Sequence, residues 1–169
     1  MAMTELEQHY NKFNEEKRLD SRHGRVEFIT SMKYIHNCLD DIKAAMDIAS
    51  DIKILDIGAG TGSVTVELAL HALYGTVYAV ERTEEGCSLI AKNAEKFGLN
   101  NIEIIHGNAA AVIDSLPVPD KVFIGGSGGE LEYIFSSILK KNPYVHIVVT
   151  AVTLETLNNT ISLMEKNGM

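Results

Sequence analysis

From residue 53 onward, short runs of apolar, β-branched residues alternate with longer segments in which apolar side chains recur every three or four positions. Five runs have the length and composition of strands: KILDI at 53–57, TVYAV at 76–80, IEII at 102–105, KVFI at 121–124 and VHIVV at 145–149. Between them, Cys87, Ile90, Ala91, Ala94 and Phe97 share one helical face, with Gly98 as a natural stop. Leu131, Ile134, Phe135, Ile138 and Leu139 share a second face before Pro143, and Leu154, Leu157, Ile161 and Met164 a third that ends near Gly168. Strands alternating with helices predict an α/β fold, a doubly wound and mostly parallel sheet with helices on both faces.

Residues 1–50 read differently, as polar helical sequence followed by an amphipathic stretch with Phe28, Ile29, Met32, Ile35, Leu39 and Ile42 on one face. No repeat or low-complexity linker divides the chain. The expected organisation is an N-terminal helical extension at 1–50 and one α/β domain at 51–169, a size at which a single core buries about two thirds of the unfolded chain's surface.

Composition narrows the function classes. With 46% hydrophobic and 22% charged residues the chain is ordinary for a soluble protein, and it has neither a run of about 20 apolar residues nor an apolar core in its N-terminal segment. The cytoplasm and no membrane partner are therefore expected. A net charge of −8 repels a phosphate backbone, so a nucleic-acid partner is not expected. The local cations Lys17, Arg18, Arg22, His23 and Arg25 are interleaved with Glu15, Glu16, Asp20 and Glu27, a solvated mixed-charge segment. Cys38 and Cys87 form no CxxC pair, so they read as packed thiols, with no metal site.

The strongest chemical signal is Asp56-Ile57-Gly58-Ala59-Gly60-Thr61-Gly62, between the first strand and the helix beginning near Ser63. Glycines let the backbone turn sharply and approach a ligand, while amides at the helix start face its polar atoms. Position 63, where a dinucleotide fingerprint has its third glycine, is Ser, and the spacing is GxGxG. Glu81 ends the second strand, where an acid accepts hydrogen bonds from both hydroxyls of a ribose; NAD domains place one there too, so Glu81 alone does not discriminate. After the third strand, Asn108 and the Ala109 amide are placed to read an adenine ring, a plain turn being the alternative. Gly125-Gly126-Ser127-Gly128-Gly129 follows the fourth strand and opens a helix, at the sheet edge where ligands bind in open α/β folds.

With that loop the pattern becomes specific. LDIGAGTGSVTVELA at 55–69, VYAVER at 77–82, IEIIHGNAAAV at 102–112, DKVFIGGSGGEL at 120–131 and VVTAVTLETL at 148–157 resemble the decarboxylating precorrin-6B carbon-15 methyltransferases of cobalamin biosynthesis, a class I methyltransferase group with a Rossmann-like fold. The resemblance implies S-adenosyl-L-methionine as cofactor, held by Gly58, Ala59, Gly60, Thr61, Gly62, Glu81 and Ala109, and Asp56, Arg82, Asn108 and Gly125 are expected at the same cofactor site. It implies a tetrapyrrole substrate near Gly126, Ser127, Gly128 and Thr150, methylated with loss of carbon dioxide from an acetate arm, and a homo-oligomer, a tetramer in that family. The catalytic groups for decarboxylation are not named by it, and His71, His106 and His146 read as surface or strand histidines.

Two departures stand out. RLDSRHGRVEFITSMKYI at 18–35 resembles the leader of another class I methyltransferase group, which keeps a different small-molecule substrate open. The chain also reaches Met169 after five strands, where the family continues with two more; a truncated or hybrid chain that binds the cofactor without turnover is the further alternative. Its last strand is then expected to be an exposed edge.

Overall fold

The computed structural model describes residues 52–168, Val152 excepted. The predicted extension at 1–50, with its mixed-charge segment, its amphipathic stretch and Cys38, lies outside the described residues. Among these, β1 (Lys53–Ile57), α1 (Ser63–His71), β2 (Thr76–Glu81), α2 (Glu84–Lys96), β3 (Ile102–His106), the one-turn α3 (Ala109–Val112), a 3₁₀ turn (Ile113–Ser115), β4 (Lys121–Ile124), α4 (Leu131–Lys141), β5 (His146–Val149) and α5 (Leu154–Lys166) follow in order. All five predicted strands form, within one residue at each end.

The strands pair in parallel in the order β3-β2-β1-β4-β5. From β1 the chain winds outward through β2 and β3, then returns to β4 on the other side of β1. The winding direction therefore switches between β1 and β4, and the carboxyl ends of those two strands diverge into a crevice. The central strands are buried on both faces, which is why they read as continuous apolar runs without alternation: Ile54, Leu55, Ile57, Val77, Val80, Val122 and Ile124 are all buried.

On one face the core joins Leu55, Ile57, Val80, Val122 and Ile124 to Ile134, Phe135 and Ile138 of α4, Ile113 and Leu116 of the turn, and Leu163 of α5. Helix starts follow short-range capping rules. The Thr83 hydroxyl accepts the Gly86 amide at α2, Asn108 caps α3 and Thr153 caps α5. Gly98 ends α2 with φ +67°.

One apolar stripe is oriented differently from a core-facing helix. Leu154, Leu157, Ile161 and Met164 of α5 are exposed, while Thr156 and Thr160 are half-buried and Leu163 fully buried. The helix packs on α4 with Leu163 in the shared core, which leaves its apolar row turned away. Among the described residues no strand pairs with the outer edge of β5.

Candidate functional site

The crevice at the switch point holds a cleft of about 330 Å³ lined by Gly58, Val80, Glu81, Arg82, Thr83, Gly107, Asn108, Ala109, Gly126, Ser127 and Gly128. Every lining residue comes from the carboxyl end of β1, β2, β3 or β4 or from the segment directly after it, Ala109 being the first residue of α3. The volume is at the small end of the range of about 300–1,000 Å³ seen for small-molecule sites.

Two loops far apart in sequence meet at its floor. Gly58 has φ +72°, and a Cβ placed on it would lie 2.4 Å from the Gly126 carbonyl oxygen, so the strand-one loop touches the strand-four loop backbone to backbone. The amides of Gly125 and Gly126 both donate to the Ile57 carbonyl, at 2.9 and 3.3 Å.

Glu81 is held as tightly. Its Oε2 accepts the Gly60 amide at 2.9 Å, and its Oε1 accepts the amide and the hydroxyl of Thr83 at 2.9 and 2.7 Å. Burial by itself would push this carboxyl up, but the Thr83 hydroxyl and amide, with the amides of Gly60 and Arg82, hold its pKa below the ordinary carboxylate value. A carboxylate has about four acceptor positions. Of the bonds within 3 Å, two fall on Oε1 and one on Oε2, so Oε2 is the oxygen with more room for a ligand hydroxyl.

The Thr83 hydroxyl works in both directions, donating to Glu81 while accepting the Gly86 amide at 3.1 Å. Gly86 is needed for this closeness, because a Cβ there would lie 2.6 Å from Glu81 Cγ and 2.9 Å from the Gly60 carbonyl oxygen. Under the cleft, Asp56 is buried and its Oδ2 accepts the Thr65 hydroxyl at 2.5 Å, while Oδ1 has no hydrogen-bond partner among the described residues. Burial, opposed by the Thr65 bond and reinforced by the charge of Glu81, raises its pKa to about 6.

Of the residues expected at the site, Gly58, Glu81, Arg82, Asn108, Ala109, Gly126, Ser127 and Gly128 line the cleft together. Asp56, Ala59, Gly60, Thr61, Gly62 and Gly125 lie behind or beside the lining: Gly60 meets Glu81, Gly62 starts α1, and Gly125 rests on Gly58. Thr150 braces the loop from outside, its hydroxyl donating to the carbonyls of Ile124 and Gly125 at 3.2 and 3.3 Å. The Asn108 side-chain carbonyl accepts the Ala111 amide at 3.3 Å. Val80, Thr83 and Gly86 are not anticipated by the sequence reading. Thr83 was legible, since a Thr directly before two glutamates is a helix-start signature.

The precorrin methyltransferase domain family matches residues 43–169, three quarters of the sequence. The chain belongs to the precorrin methyltransferase domain family. Relatives within it include the probable cobalt-precorrin-6B C(15)-methyltransferase (decarboxylating) of Saccharolobus solfataricus, 44% identical over 122 residues, and that of Sulfurisphaera tokodaii, 42% identical over 118. Each alignment covers 69% of this chain and only 60% and 62% of the relative, so the chain spans less than two thirds of the length of these precorrin methyltransferases. The crystal structure of a precorrin-6y C5,15-methyltransferase from Geobacter metallireducens superposes with a TM-score of 0.69 at 35% identity, covering 75% of this chain and 68% of that one. That of precorrin 8w decarboxylase from Methanobacterium thermoautotrophicum gives 0.65 at 33%, covering 76% and 71%. The fold is also that of an S-adenosylmethionine-dependent O-methyltransferase from Thermotoga maritima, with a TM-score of 0.62 at 20% identity, covering 75% of this chain and 48% of that one.

Proposed function

We propose that this domain binds S-adenosylmethionine in the switch-point cleft and methylates a tetrapyrrole of the cobalt-precorrin-6B type at carbon 15, with loss of carbon dioxide from an acetate arm. The observation that carries the reading is that Glu81 and the Gly126–Gly128 backbone, assigned to cofactor and substrate respectively, line one cleft. The names of the Saccharolobus and Sulfurisphaera relatives support the choice of substrate.

The residues present fit the cofactor. Glu81 offers a carboxylate, kept ionised, with room on Oε2 for a sugar hydroxyl. Gly107, Asn108 and Ala109 form the side assigned to the adenine, and Arg82 is the cationic side chain among the lining residues. When bound, S-adenosylmethionine supplies an electrophilic methyl group whose in-line transfer asks mainly for alignment. Gly58 and Gly126 fix the floor on which donor and acceptor are aligned, and, with the Gly125 and Gly126 amides bonded to the Ile57 carbonyl, those of Ser127, Gly128 and Gly129 are the loop amides left for the carboxylates of the substrate.

Calorimetric titration with S-adenosylmethionine beside NAD tests the cofactor. Binding of the first alone is expected, weakened by about 1.5–3 kcal/mol in Glu81→Ala through the lost bond to a charged acceptor. Incubation with cobalt-precorrin-6B and S-adenosylmethionine then tests the reaction by mass spectrometry and carbon dioxide capture. One methyl gained and one carbon dioxide lost per turnover is the expected product; methylation with the carboxylate retained would point to a different substrate, and no binding would remove the whole assignment.

A further inference from the structure

Around the rim of the cleft, the loops after neighbouring strands are tied to each other through the backbone. The Gly58 and Ala59 amides donate to Val80 carbonyl oxygen at 3.0 and 3.1 Å, the Gly107 amide to that of Glu81 at 2.9 Å, and the Gly125 amide to that of Ile57 at 2.9 Å. These ties link β1 to β2, β2 to β3 and β4 to β1. The rim closes only if the loop after β3 is also joined to the loop after β4, yet two strands lie between them. A side-chain bond supplies the link: Asn108 Nδ2 donates to Glu130 Oε2 at 2.7 Å.

Both partners are set up for it. Glu130 occupies the residue before α4 but makes no capping bond with its side chain. Asn108 is anchored at its other end, where Oδ1 accepts the Ala111 amide. Asn108 belongs to one wall of the cleft, and Glu130 follows directly on the Gly126–Gly128 wall.

We propose that Glu130 is a positioning residue: its bond to Asn108 latches the glycine-loop wall to the Asn108–Ala109 wall and thereby sets the affinity of the cleft for its ligand. The affinity part rests on the reading of that ligand as S-adenosylmethionine. The latch works as a hydrogen bond and not as a charge, so a neutral acceptor at 130 serves as well as a carboxylate.

The test compares the full chain with Glu130→Ala, Glu130→Gln, Asn108→Asp and the double variant Asn108→Asp/Glu130→Gln. Amide hydrogen exchange without ligand reads the latch, and calorimetry with S-adenosylmethionine reads its consequence. Glu130→Ala is expected to speed exchange in both 108–112 and 125–131 and to weaken binding about fivefold to tenfold, the usual worth of one hydrogen bond. Glu130→Gln keeps the acceptor and stays within about twofold of the parent. Asn108→Asp retains the cap on α3 but sets two carboxylates together, and it loses as much as Glu130→Ala. In the double variant the glutamine amide donates to the new carboxylate, and both readouts recover. Unchanged exchange in Glu130→Ala overturns the latch, as does Glu130→Gln behaving like Glu130→Ala or a double variant that stays weak. Should the parent chain fail to bind S-adenosylmethionine, the cofactor reading falls, and the exchange comparison still decides the latch.

Discussion

Asp56 titrates beneath the site, and its proton is expected to be visible in the stability of the chain. The side chain is 1% exposed, with one oxygen on the Thr65 hydroxyl and the other without a hydrogen-bond partner among the described residues. Burial, with the Thr65 bond opposing and the Glu81 charge assisting, raises its pKa from 3.8 to about 6. A carboxyl that holds its proton more tightly when folded stabilises the fold while it is protonated. That contribution is complete below pH 3.8, declines as the pH rises and is gone above about pH 6. At about 1.4 kcal/mol per pH unit between the two values it amounts to about 3 kcal/mol.

Asp56→Asn removes the titration and nearly conserves volume. Urea unfolding of both chains at steps from about pH 4 to about pH 7 gives two stability curves whose difference isolates this group. Glu81, whose lowered pKa tilts stability in the opposite direction, is present in both chains and largely cancels. The parent is expected to lose about 2.5 kcal/mol relative to Asp56→Asn across that range, with the denaturant slope unchanged. A difference flat to within about 0.5 kcal/mol would refute burial as the source of the raised pKa.

Three further substitutions test the backbone arrangement. Gly58→Ala puts a Cβ 2.4 Å from the Gly126 oxygen at a φ of +72°, and a loss of about 3 kcal/mol or more is expected by urea unfolding, with cofactor affinity lost alongside. Thr83→Ala removes the cap of α2 and a donor to Glu81, for about 1–2 kcal/mol; Thr83→Ser restores most of it, and NMR titration should find the Glu81 pKa moved back up only in the alanine variant. Gly86→Ala reverses a rule: alanine for glycine in a helix ordinarily gains about 1 kcal/mol, but here the methyl meets Glu81 and Gly60, so destabilisation is expected, and a more stable variant would show that the Glu81 pocket yields freely.

The strands were legible because a parallel sheet covered on both faces demands unbroken apolar runs, and KILDI or KVFI satisfies nothing else in so few residues. The glycine spacing after β1 and the acid at the end of β2 were legible for a similar reason, since each sits at a fixed place on one βαβ unit. The direction in which α5 turns its apolar row was not, because a period of 3.6 defines a face without saying what stands opposite it. The bond from Asn108 to Glu130 joins residues 22 apart whose pairing depends on how two loops lean, and no local propensity encodes that. The environment of Asp56 was hidden too: a strand residue's burial is readable, but its raised pKa needs the Thr65 partner and the Glu81 charge in three dimensions.

The switch in winding direction also explains why so much of this cleft is main chain. Reversing the strand order between β1 and β4 brings two backbone segments, Ile57–Gly58 and Gly125–Gly126, within hydrogen-bonding and contact distance, and at position 58 only glycine allows that approach. The walls therefore carry much main chain: four of the eleven lining residues are glycines, and one lining side chain carries a positive charge. Main-chain amides ahead of α4 are dipoles whose orientation is set by the fold, and they act beside the acids Glu81 and Glu130. The same economy leaves Glu81 to be fixed by amides and one hydroxyl, and it leaves Glu130, outside the lining, to determine how far apart the two walls stand.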